Sequence, residues 1–266
     1  MRFICNFSCG AASAVATKMT INQYGLSHEV LVVNAYLASE DPDNRRFLAD
    51  CEAWFGRPVT VVRDFKYGAD AYEVFRKRRY TKGLQGAACS RALKRDVLDS
   101  HFPWSPEDTT VLGFTADEQD RFDRWIDANP EARVIAPLID AKLGKADVLA
   151  MVDRAGILLP KMYRLGYHNA NCIGCVKGGA GYWNKIRRDF PEKFEEMAQV
   201  EELIGPTSYL FRHRSGPLKG KRFSLRELPP TMGRYEDEPD ISCSAACEFV
   251  ESSDAWDELQ EENLWS

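Results

Sequence analysis

Five cysteines are spaced for chemistry. Cys172 and Cys175 form a C-x-x-C in the run N-A-N-C-I-G-C-V-K-G-G, where Ile173 and Gly174 supply the tight turn that lets two thiolates reach one metal. Cys89 lies far upstream in A-A-C-S-R-A-L-K-R, and Cys243 and Cys247 lie far downstream. Cys89 as third ligand and Cys243 or Cys247 as fourth would complete a four-sulfur site, the other tail cysteine being left as a reactive thiol. Such a site suits zinc or an iron–sulfur cluster, and spacing does not choose between them. A redox dithiol at Cys172 and Cys175 is a third reading. His168 precedes the pair as a ligand or base, with a packing role the weightier reading. Cys5, Cys9 and Cys51 read as small buried hydrophobes, although Cys9 also sits in a second candidate site.

That second site is Phe7-Ser8-Cys9-Gly10-Ala11-Ala12-Ser13, which looks like a strand turning into a helix around a phosphate. Successive N–H groups at a helix N-terminus make a positive concavity, small residues allow close approach, and Ser8 and Ser13 add hydroxyl donors. Small residues at such a junction are also common packing. No P-loop ending in Gly-Lys-Ser/Thr and no Ser-His-Asp arrangement can be read, which argues against ordinary kinases, GTPases and triad hydrolases.

The elements that must position these groups alternate. Strands are expected over Arg2–Phe7, Val30–Asn34, Val59–Val62, Val111–Phe114 and Val134–Ala136. Helices are expected over Ala11–Thr20, from Asp43 to Phe55, around 70–79 and 90–100, over Ala116–Ala128 and Lys145–Ala155, and near 180–189 and 191–204. Strand–helix alternation implies an α/β, doubly wound, mainly parallel five-stranded sheet with helices on both faces. Ligands of such sheets sit beyond the carboxyl ends of the strands, where the loop after Phe7 lies. Past residue 205, Pro206, Pro217, Pro229, Pro230 and Pro239 punctuate a loop-rich extension over 206–266, separate from a domain over 1–205.

The 266 residues are 44% hydrophobic and 28% charged, ordinary for a globular protein. No apolar run approaches the roughly 18 residues of a membrane span and no secretory start is visible, so a cytoplasmic protein with reduced thiols is expected. Residues 235–266 hold eleven acids and no Lys or Arg, so of the formal −5 the rest of the chain carries +6. Basic residues cluster at Arg76–Arg79, at Arg91, Lys94 and Arg95, at Arg187 and Arg188, and over 212–222. A mildly basic body suits nucleotide phosphates or nucleic acid.

Taken in order, these segments resemble the phosphoadenosine-phosphosulfate (PAPS) reductase family of the adenine nucleotide α-hydrolase (PP-loop) superfamily, over roughly residues 1–200. F-S-C-G-A-A-S-A occupies the pyrophosphate-loop position. E-D-P-D-N-R-R-F-L-A-D-C-E-A-W-F-G-R-P-V resembles the second-strand loop and helix, A-A-C-S-R-A-L-K-R the C-x-x-x-x-K segment, and V-L-G-F-T-A-D-E-Q-D-R-F the G-x-R-x-x-E-S-x-x-R element. I-A-P-L-I-D-A-K-L-G-K-A-D-V-L resembles the P-L-x-x-W…D-V segment.

The resemblance implies ATP, PAPS or adenylyl sulfate held by Ser8, Cys9, Gly10, Ala11 and Ser13, with adenine near Val33 and Asn34. Arg91 and Lys94 would meet phosphate or sulfate, and Gly113, Asp117 and Glu118 would border the ligand. It further implies a [4Fe–4S] cluster on Cys89, Cys172, Cys175 and Cys243 or Cys247, with zinc as the alternative. Catalytic roles fall to Lys94 and to Cys247 or Cys243. Three departures stand out. Ala11 and Ala12 replace the loop's acid that helps hold Mg2+, Thr115 stands where the G-x-R element has arginine, and the reductase's Glu-Cys-Gly-Leu-His ending is absent.

Three functions follow as expectations. The first is a divergent enzyme of sulfur transfer or nucleotide α-phosphate chemistry, with nucleic-acid modification as one outlet. The second is a thioredoxin-dependent PAPS or adenylyl sulfate reductase. The third is a non-catalytic nucleotide-binding accessory of a mobile-element, phage-defence or CRISPR system. Dimers occur in relatives, so a homodimer is allowed.

Overall fold

The computed structural model describes residues 1–83, 86–103 and 105–241. Cys243 and Cys247, and most of the acidic tail, lie outside the described residues.

Five parallel strands form the central sheet: β1 (Arg2–Asn6), β2 (Glu29–Tyr36), β3 (Val59–Arg63), β4 (Asp108–Val111) and β5 (Arg133–Ile135), in the order β3-β2-β1-β4-β5. The chain moves outward from β1 to β3 and then returns to β4 on the other side of β1. The order therefore reverses between β1 and β4, the crevice where doubly wound sheets bind ligands. Arg2 fixes the β1–β4 register from the far end, its guanidinium donating to both Asp108 carboxylate oxygens at 2.9 and 2.5 Å.

Helices α1 (Ala11–Tyr24) and α2 (Asp43–Phe55) follow β1 and β2, and α3 (Ala71–Arg78) follows β3. The next helix, α4, runs over 88–101 with a π-helical turn, Arg91–Arg95, in its middle. After β4 come α5 (Gln119–Ala128), α6 (Pro137–Asp140), α7 (Lys145–Arg154), α8 (Lys161–Arg164), α9 (Ala180–Asp189) and α10 (Pro191–Ile204). Phe3, Cys5, Val30 and Val32 recur with period two and pack with α1, α2 and α7 in one apolar cluster. A second cluster joins α3, α4, α9 and α10 to Leu210, Phe223, Leu225, Leu228 and Tyr235. The loop-rich stretch 206–241 thus shares a core with the preceding helices.

The expected architecture is present, with two instructive shifts. The fourth strand was expected at Val111–Phe114 and lies at Asp108–Val111. Its polar start is stabilised by the Arg2–Asp108 pair, which frees Leu112–Phe114 to line the crevice beyond the strand end. The first helix continues four residues past Thr20 to Tyr24, where Gly25 closes it by donating to Ile21 O. Among the described residues, no helix is long and apolar enough to cross a membrane.

Glu201 pins the C-terminal stretch to α10. Fully buried, its carboxylate oxygens accept the Leu210 N–H at 2.8 Å and the Leu225 N–H at 2.6 Å. Burial outweighs these two bonds and pushes its pKa up to about 7. The folded state therefore holds this proton more tightly than the unfolded chain. Its contribution is complete below the unfolded carboxylate range and is lost as pH rises through about 7. Chemical denaturation should show stability falling by roughly 2 kcal/mol between pH 5 and pH 8 from this group. Glu201→Gln should remove that part of the pH dependence, and an unchanged slope would contradict the assignment.

Candidate nucleotide site and thiol turn

β1 passes through Phe7-Ser8-Cys9-Gly10 into α1, and the turn is set by hydrogen bonds. The Phe7 N–H donates to Val33 O at 2.8 Å, and the Asn34 amide donates to Phe7 O at 2.7 Å. Cys9 takes a left-handed backbone, φ 58°, with its side chain fully buried. Its Sγ lies 3.6 Å from Asn34 Nδ2 and 3.3 Å from an Arg45 guanidinium nitrogen. Burial pushes this thiol up to about 12, so it stays protonated. The unusual backbone turns Cys9 inward and leaves Ser8 and Gly10 facing the crevice.

At the mouth of α1 the Ser8 N–H donates to Ser13 Oγ at 3.2 Å, the two hydroxyls lie 3.2 Å apart, and Ser13 donates to Gly10 O at 3.0 Å. Gly10 as N-cap offers no capping side chain. The Ala11 N–H reaches the Tyr163 hydroxyl oxygen at 3.3 Å, and burial pushes that phenol up to about 12. Gly113, just past β4, packs directly on the backbone of Ser13.

These residues border a cavity of about 370 Å³ between the carboxyl ends of β1 and β4, within the roughly 300–1,000 Å³ usual for small-molecule sites. The π turn in α4 aims Lys94 into it, and π turns recur at functional sites. Arg121 and Lys145 line it from the β4 side. Acids line it too: Glu40, Asp117, Glu118 and Asp240. Glu40 is buried, which raises its pKa against the opposing pull of Lys94, the Asn44 amide and Arg45. Glu118 is engaged in a capping box, accepting the Thr115 N–H at 3.1 Å and its hydroxyl at 3.3 Å. Asp117 accepts the Lys145 N–H at 3.0 Å.

Of the residues singled out in the sequence for the nucleotide, Ser8, Gly10, Ala11, Ser13, Lys94, Gly113, Asp117 and Glu118 line this cavity. Cys9, Val33, Asn34 and Arg91 do not. Val33 and Asn34 hold the loop from beneath, and Arg91 is exposed and lies 3.6 Å from Asp96. Glu40, Tyr163, Asn169 and Asn171 line the cavity without having been singled out. Tyr163 stands in a four-residue helix with no motif around it.

A strap over 233–241 closes one side. Glu238 accepts N–H groups of Gly179, Gly181 and Tyr182 at 3.2, 2.6 and 3.2 Å, capping α9. Asp240 pairs with Lys145, and its other carboxylate oxygen sits 2.9 Å from His168 Nδ1 without the alignment of a hydrogen bond. Ile241 O accepts from the Asn169 and Asn171 amides at 3.1 and 2.6 Å. His168 also stacks on Tyr235 at 4.5 Å, which gives it a packing role in this strap.

The C-x-x-C is a clamped turn. Gly174 takes φ 74°, and the buried Tyr182 hydroxyl accepts the Gly174 and Cys175 N–H groups at 3.0 and 2.9 Å while donating to Cys172 O at 3.2 Å. Cys175 belongs to the second apolar cluster, and Cys172 and Cys89 pack against it. Among the described residues, no group of three or more His, Cys, Asp or Glu side chains is arranged to hold a metal. Cys89, Cys172 and Cys175 thus border one core.

No family model matches the chain, and no curated protein matches it significantly.

Proposed function

We propose that the chain binds an adenine nucleotide in the β1–β4 crevice and acts as a divergent PAPS-reductase-like enzyme, in sulfur transfer or α-phosphate chemistry. One observation carries the reading. The reversal point of a doubly wound sheet opens into a cavity bordered by the N-terminus of the 14-residue α1, the Ser8 and Ser13 hydroxyls and Lys94. Backbone N–H groups, hydroxyls and an ammonium are what a phosphate ester needs from a protein. Adenine as the base rests on the sequence resemblance.

In this reading α1 and Ser8 hold the phosphates, and Lys94 neutralises charge on the transferring group. Carboxylates from other elements, Glu40, Asp117, Glu118 and Asp240, border the cavity and would face a nucleotide-bound Mg2+, although Ala11 and Ala12 supply none. Titration calorimetry with ATP, PAPS and adenylyl sulfate should show binding, with GTP weaker. Lys94→Met should weaken it roughly tenfold to a hundredfold, the worth of a charge-assisted contact. Absence of adenine-nucleotide binding, or affinity indifferent to Lys94, would sink the proposal. Binding without release of phosphate, pyrophosphate or sulfite would favour the accessory role over the enzyme.

One observation favours the reductase as second reading: Ile241, the last described residue, lines the cavity, and Cys243 follows it by two positions. A tail thiolate would attack the sulfonate sulfur and expel the nucleotide's phosphate oxygen, and a thioredoxin dithiol would then release sulfite. Cys243→Ser or Cys247→Ser should then abolish sulfite release with nucleotide binding kept. The thiol centre is measured separately. About four irons and four sulfides per chain in anaerobically purified protein would support a [4Fe–4S] cluster, and stoichiometric zinc would remove it.

A further inference from the structure

From the exposed aromatic and basic residues at the carboxyl ends of β2 and β3, we infer a binding surface for a single-stranded polynucleotide. Phe65 is 80% exposed, the most solvent-facing aromatic side chain among the described residues. The Arg63 guanidinium lies over its ring at 5.0 Å and over Tyr36 at 5.6 Å, and Arg45 covers Tyr36 at 5.1 Å. Tyr36 and Arg63 are register partners across β2 and β3, so the stack is fixed by the sheet. Next along the chain, the buried Tyr67 anchors Lys66, Lys77 and Arg78, whose charges lie 5.3, 5.6 and 5.5 Å from its ring. Arg78 Nε also donates to the Tyr67 hydroxyl at 3.2 Å.

Charge is as uneven as shape. Residues 63–79, which carry Phe65 and helix α3, hold six Lys or Arg and three acids. Those acids are engaged: Asp64 accepts the Tyr67 N–H, Asp70 caps α3, and Glu73 pairs with Arg76 and Lys77. An exposed ring among cations is an arrangement that takes an unpaired base by stacking and the neighbouring phosphates by charge. A duplex keeps its base faces covered and cannot use Phe65. The surface lies outside the nucleotide cavity and does not depend on it; Arg45, which touches both Tyr36 and Cys9, connects the two regions.

Fluorescence anisotropy on the full chain decides it, with labelled oligodeoxyuridylate and oligouridylate of about 12 nucleotides and a duplex of equal length. Both single strands should bind more tightly than the duplex, and the two sugars show which polynucleotide is preferred. Phe65→Ala should weaken binding roughly tenfold without lowering the melting temperature, because the ring is exposed. Lys66→Gln with Lys77→Gln should flatten the salt dependence by about one to two counterions. Equal affinity for duplex and single strand, or for Phe65→Ala and the native chain, would overturn the inference. An ATP titration on the same samples reports the cavity separately, so either result can fail alone.

Discussion

Gly113→Ala should weaken ATP binding tenfold or more and cost about 1–3 kcal/mol of stability, the range for overpacking a filled interior. A Cβ at this position would stand 2.9 Å from Ser13 Cα, 3.0 Å from Ser13 N and 3.2 Å from the Ala12 carbonyl carbon. All three atoms are backbone of the first turn of α1, so no side chain can swing aside. The turn itself must retreat, taking with it the Ser13 hydroxyl and the N–H groups facing the cavity. Calorimetric titration and thermal melting together separate the two effects. An alanine variant with native affinity would mean that Gly113 only fills space and that the α1 turn does not hold the ligand.

The second large effect is expected at the thiol turn. Tyr182→Phe removes one hydroxyl that serves two backbone N–H groups and one carbonyl of residues 172–175. Each buried polar group left without a partner costs about 1–3 kcal/mol, so a loss of roughly 4 kcal/mol is expected. The Tyr72 hydroxyl, 3.3 Å from Ile173 O and 3.4 Å from Gly174 O, braces the same turn from another helix but has one proton to give. Tyr72→Phe should therefore cost less. Chemical denaturation gives the energies, and a thiol reagent should modify Cys172 and Cys175 faster in the Tyr182 variant. Equal stability would show that the turn holds itself.

Strand–helix alternation made the sheet legible because buried parallel strands leave compact apolar runs and α1 is rich in small residues. The fourth strand was misplaced because its Asp-Thr-Thr start is polar, and its partner Arg2 lies 106 positions away. The phosphate loop was visible in Ser8–Ser13, yet the inward turn of Cys9 was not, since a left-handed backbone at a cysteine has no sequence signal. Arg91 and Lys94 looked equivalent because residues three apart share a face of an α-helix. The wider π turn between them separates an exposed Arg91 from a Lys94 that faces the cavity. The strap residues Glu238, Asp240 and Ile241 were hidden in a stretch without periodicity, where contacts distant in sequence make the structure.

Backbone amide chemical shifts, followed while ATP is added to isotope-labelled protein, locate the ligand without assuming any reaction. The account predicts the largest changes at Ser8–Ser13 and Gly113–Thr115, with small ones at Met1, Ser27 and Glu107 on the opposite end of the sheet. Saturable changes confined to that opposite end, or no change at millimolar ATP, would contradict it.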